Sequence, residues 1–84
     1  MQPMARPSPT HSGSKELVYL GKAIRGLRLE TGLSQEALAD EVGVDRSYMG
    51  GIERGEHNVA LVNLVKIARA LNMTTAELLV KAKL

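Results

Sequence analysis

Within a short span the chain sets two arginines and a serine, Arg46, Ser47 and Arg54, around Gly50, and these four fall on the outer side of a segment whose other side is apolar. A guanidinium can make a bidentate hydrogen bond to guanine, worth about 1–3 kcal/mol of discrimination between bases, and a serine hydroxyl can bond base edges as well. A short polar exterior at the start of a helix is what insertion into the major groove of DNA requires. For Arg46 the competing reading is a surface ion pair. No rival chemistry presents itself in the sequence, which has no GxSxG, no HExxH, no Walker loop and no nucleophile at a meaningful spacing from a histidine. Cysteine is absent, and the two histidines, His11 and His57, are too few and too far apart to hold zinc. Neither enzymatic activity nor a metal or cofactor is expected.

The elements that must position these side chains are helical throughout. Five segments are predicted from residue 15 onward. The first carries Leu17, Leu20, Ile24 and Leu27 on one stripe and stops at Gly32. The second opens on Ser34 as N-cap and runs through Leu38, Ala39 and Val42 to Gly43, while Asp45 caps a third that holds Tyr48, Met49 and Ile52. Two helices crossing steeply through so short a turn need a small residue where they approach, Ala39, and one that tolerates positive φ at the turn, Gly43. Leu38, Val42, Val44, Met49 and Ile52 then face inward. The fourth segment puts Leu61, Leu64, Ala68 and Leu71 on one face, with Asn72 in the C-cap role. The last begins at Thr74, whose spacing to Glu77 is that of a capping box, and frays into residues 81–84. The expected architecture is all-α, a compact five-helix bundle with a helix-turn-helix.

Composition sets the outer limits. A chain of 84 residues supports one small core, and with only Tyr19 and Tyr48 aromatic that core is aliphatic, which excludes an aromatic platform for single-stranded nucleic acid. The formal net charge is only +2, so attraction to a polyanion depends on where the charges sit. No apolar run reaches the roughly 18 residues of a membrane span, and a cytoplasmic setting without membrane partners is expected. Residues 1–14 contain all three prolines and no apolar period, and read as a disordered leader ahead of a domain at 15–84.

Residues from about 20 to 79 resemble the helix-turn-helix domains of phage repressors and Cro, the Xre-like or lambda repressor-like family, and within it the small controller proteins of restriction-modification systems. The likeness is carried by Arg28-Leu29-Glu30-Thr31-Gly32-Leu33-Ser34-Gln35-Glu36-Ala37-Leu38-Ala39, Asp45-Arg46-Ser47-Tyr48, Gly51-Ile52-Glu53-Arg54-Gly55, and Ala70-Leu71-Asn72-Met73 before Ala76-Glu77-Leu78-Leu79. The chain departs from the family pattern at Val59-Ala60, which leaves the fourth helix without a side-chain cap, and at Gly50, where a polar side chain is common.

The resemblance implies a transcriptional regulator that binds double-stranded operator DNA as a homodimer and, at some promoters, touches RNA polymerase. It implies that Gln35 holds a phosphate at a helix N-terminus, the alternative being a solvated amide. Arg28 and Glu53 match an ion pair bracing the first helix against the third. Arg54 and Asn58 flank the loop after the recognition helix and face phosphates. Tyr48 either packs at the helix edge or reaches a phosphate with its hydroxyl. His57 either reaches the groove edge or is an exposed loop residue. Gly50-Gly51 permits close approach of backbone to DNA or of helix to helix. Leu78, Leu79, Val80 and Leu84 supply a dimerisation surface. Two other readings are an antitoxin-type protein-binding module that also binds its own promoter, and an adaptor that kept the fold without binding DNA.

Overall fold

The computed structural model describes residues 12–84. Five helices follow in chain order: α1 (Lys15–Thr31), α2 (Gln35–Val42), α3 (Arg46–Glu53), α4 (Leu61–Ala70) and α5 (Thr75–Lys81), with no strand among the described residues. Local chemistry sets most of the boundaries. Ser34 accepts the amide of Ala37 at 3.0 Å to start α2, and Gly43 ends it at φ 84°, a left-handed conformation that an L side chain disfavours. Thr74 and Glu77 form the reciprocal capping box of α5, the Thr74 amide donating to Glu77 Oε1 at 2.8 Å and the Glu77 amide donating to the Thr74 hydroxyl oxygen at 3.0 Å; hydrogen bonding from Thr74, its backbone amide above all, holds the Glu77 carboxyl below its ordinary range. As the sequence predicts, α4 starts from Ala60 with no side-chain cap.

Four local expectations change. Ser14, read as leader, is the N-cap of α1, and the Gly13 amide bonds the Gly55 carbonyl at 2.9 Å, so the folded unit begins before residue 15. The remainder of the leader, residues 1–11, lies outside the described residues. Asp45 stands at the N-cap of α3 but caps no amide, because its carboxylate accepts the Ser47 hydroxyl at 3.1 Å. The C-terminal end does not fray: Ala82 is buried, Lys83 turns at φ 63°, and the Leu84 amide closes on the Leu79 carbonyl at 2.9 Å. Leu61, placed on the buried face of α4, is 68% exposed, and Ile67 takes its place with Leu64, Ala68 and Leu71.

The core is aliphatic, centred on Ile24, Leu38, Met49, Ile52, Ile67 and Leu78. Helix α3 packs on α1 and α2, α4 on α2, and α5 on α4 and α1, so the recognition helix rests on the first two helices. The close approach of helix backbones is made by Gly21 of α1, where a methyl group would stand 2.5 Å from the carbonyl oxygens of Ile52 and Glu53. A side chain there would lever α3 away from its seat. Among the described residues no helix is long and apolar enough to cross a membrane.

Candidate nucleic-acid interface

The recognition helix is fixed from beneath by charge. Arg28, in the last turn of α1, donates from Nε to Glu53 Oε2 at 2.7 Å and from Nη2 to Glu53 Oε1 at 3.1 Å, while its Nη1 bonds the Leu33 carbonyl at 3.0 Å. Both side chains are buried, and the hydrogen bond to Glu53 raises the Arg28 pKa further, so the cation is permanent. Gln35, at the first position of α2, adds a bond from Nε2 to Glu53 Oε1 at 3.1 Å. One carboxylate therefore ties together the end of α1, the start of α2 and the end of α3.

Above this clamp the polar residues gather. Arg46 is exposed in the first turn of α3, and its Nη1 lies 3.5 Å from Gln35 Oε1, a long contact that leaves the guanidinium able to turn outward. Ser47 is half-buried, its hydroxyl oriented by Asp45. Arg54 is exposed and paired with Glu56, Nε to Oε2 at 2.8 Å and Nη2 to Oε1 at 3.2 Å; that bond lowers the Glu56 pKa and raises that of Arg54. Asn58 is exposed in the loop between α3 and α4. Gly50, expected on the outside, is buried beneath the side chains of Arg54 and Gln35. Asp45, expected only as a helix cap, and Glu56, for which the sequence suggests no role, each hold a candidate contact residue. The available signal was an acid two positions from its partner.

The helix-turn-helix family matches residues 24–78 of the chain. The control protein C.MunI of a Mycoplasma species is 45% identical over 62 residues, covering 73% of this chain and 84% of that one. Control protein C.BamHI of Bacillus amyloliquefaciens is 43% identical over 63 residues, covering 74% and 78%. In structure, the restriction-modification controller protein C.AhdI from Aeromonas hydrophila superposes with a TM-score of 0.73 at 54% identity, covering 75% of this chain and 96% of that chain. The chain belongs to the restriction-modification controller proteins of the helix-turn-helix family. It is a sequence-specific DNA-binding regulator of transcription rather than an enzyme.

Two of the residues expected at the controller's interface, His57 and Gly50, are buried. His57 is only 5% exposed, not the exposed loop residue of one reading, and its ring lies tilted on Tyr48 with centroids 4.5 Å apart. Gly51 makes the space, since a methyl group there would run into His57 Nε2. The paired glycines therefore make room for side chains of this chain. Gly51 admits the histidine from the following loop; Gly50 admits the ends of Arg54 and Gln35.

Burial lowers the His57 pKa below its usual 6.5, with Glu56 opposing and Arg54 adding to the shift. Above pH 6.5 folded and unfolded chains both carry a neutral imidazole and nothing is lost. Between that value and the lower folded one only the unfolded chain takes the proton, so stability falls as pH drops through this window. Melting temperatures measured between pH 7.5 and 5.5, roughly one unit on either side of the usual histidine value, should decline in the wild type. They should decline less in His57→Gln. Equal slopes would mean that other groups carry the effect.

Proposed function

We propose that this controller binds a promoter operator as a homodimer in the cytoplasm, each α3 entering a major groove, with two half-sites about 34 Å apart. A single recognition helix offers too little contact for useful affinity, so dimerisation is part of the function. At some promoters it would also touch RNA polymerase. The observation that carries the reading is Arg46: an exposed guanidinium at the start of α3, beside a serine hydroxyl already oriented, on a helix anchored by the buried Arg28 and Glu53 pair. Arg46 and Ser47 read base edges, while Gln35, Asn58 and the Tyr48 hydroxyl bind phosphates.

The test compares operator and scrambled duplexes at several salt concentrations, the operator being selected from a random DNA pool by the wild-type chain. Arg46→Ala should cost about 1–3 kcal/mol on the operator and flatten preference at one base pair per half-site. Gln35→Ala should weaken both duplexes alike and leave the salt slope nearly unchanged, because the residue is neutral. Equal weakening of both duplexes by Arg46→Ala would make Arg46 a phosphate clamp and move direct readout to Ser47.

A further inference from the structure

The outward stripe of α3 carries Arg46, Gly50 and Arg54 at successive steps of four residues, so an arginine stands at each end with no side chain between. Arg54 keeps helical backbone angles, φ −88° and ψ 0°, and leans back along the helix over the gap. Its Nη1 lies 3.1 Å from the point where a Cβ on Gly50 would stand. The guanidinium thus occupies the middle of the recognition face, where the family pattern commonly has a polar side chain and this chain has Gly50.

Glu56 fixes how it is presented. The carboxylate takes the Nε and Nη2 edge, in bonds of 2.8 and 3.2 Å. Of the five N–H donors in the planar fork, the end-on edge shared by Nη1 and Nη2 points away from the carboxylate. Glu56 is itself anchored, since its amide bonds the Gly51 carbonyl at 2.9 Å. A guanidinium turned end-on in the major groove fits the O6 and N7 acceptors of guanine. Charge argues the same way. A carboxylate beside an arginine cancels most of its pull on phosphates, so this pair adds little attraction to DNA in general but can add directional preference.

We propose that Arg54 is a second base-reading residue of this controller, recognising a guanine in each half-site, and that Glu56 is the positioning residue that aims it. The proposal rests on α3 being the helix that enters the major groove. It replaces the expectation that Arg54 is a phosphate clamp.

Wild type, Arg54→Ala, Arg54→Lys, Glu56→Gln, Arg46→Ala and Ser47→Ala are titrated against the selected operator and a scrambled duplex across a range of salt. Each variant also reselects its preferred sequence from the random pool. The Arg54 and Glu56 variants should melt like wild type, because the pair is solvent-accessible. Arg54→Ala should lose about 5- to 150-fold on the operator per half-site, with a smaller loss on scrambled DNA, and reselection should return one relaxed base pair per half-site. Arg54→Lys keeps the charge but lacks the fork, and should lose the same preference while holding its salt slope. Glu56→Gln should weaken operator binding and strengthen scrambled binding. The proposal is overturned if Arg54→Lys binds the operator like wild type, or if Glu56→Gln tightens both duplexes by the same factor. Were Arg46→Ala and Ser47→Ala also to leave the preference intact, the placement of α3 in the groove would fall with it. A loss of preference in Arg46→Ala or Ser47→Ala alone would sink only the proposal for Arg54.

Discussion

Glu53→Ala should cost this domain about 3–5 kcal/mol, the usual consequence of breaking a buried ion pair from one side. The removed carboxylate accepts two hydrogen bonds from Arg28 and one from Gln35, and the arginine would be left buried with its charge uncompensated. A chain of 84 residues has a total stability of only roughly 4–13 kcal/mol, so the variant should approach the unfolding threshold. At roughly 4–8 °C per kcal/mol its melting temperature should fall by at least about 12 °C, readable by circular dichroism. Replacing both partners, Arg28→Met with Glu53→Leu, should recover much of the loss, because the penalty lies in the orphaned charge more than in the missing attraction. An unchanged melting curve with lost DNA binding would instead assign Glu53 to the DNA contact.

That pair was legible in the sequence through the family resemblance, whereas the turn and caps were legible from residue chemistry alone. Ser34, Gly43 and the Thr74 with Glu77 box each specify a local geometry that few other residues supply, and all three stand where expected. Tertiary choices were harder to read. Both Leu61 and Ile67 satisfy a helical period with Leu64 and Leu71, and only the packing of α4 against α2 and α5 decides which one is covered. His57 reads as a polar loop residue because its burial depends on a space opened six positions earlier by Gly51. A glycine inside a helix costs about 1 kcal/mol relative to alanine, and that cost was the available hint that something else occupies the side-chain space. Gly21 in α1 carried the same hint, there for the backbone of α3. Asp45 shows the opposite failure: a residue with the right chemistry for a cap is claimed by a neighbouring hydroxyl.

Leu78→Asp should abolish folding rather than dimerisation. Leu78 was assigned to the dimer surface with Leu79, Val80 and Leu84, but its side chain is fully buried in the core of the single chain. In a seven-residue helix the three consecutive apolar residues 78–80 are too few to show which one faces inward. Truncation of such a leucine to alanine costs about 2–5 kcal/mol, and an aspartate adds the burial of an unpaired carboxylate, which together exceed what so small a domain can lose. Val80 is different: it is 72% exposed, Leu84 is half exposed and Leu79 partly covered. An exposed valine has nothing to lose by becoming polar unless a partner covers it. Val80→Asp with Leu84→Asp should therefore melt like wild type, sediment as a monomer at micromolar protein and bind operator more weakly, while Leu78→Asp should show no cooperative melting transition at all. A folded Leu78→Asp monomer would restore Leu78 to the interface. A dimeric Val80→Asp, Leu84→Asp variant would move the interface to another exposed apolar pair, Leu61 and Val62 at the start of α4, which are more exposed than Tyr19 or Leu29.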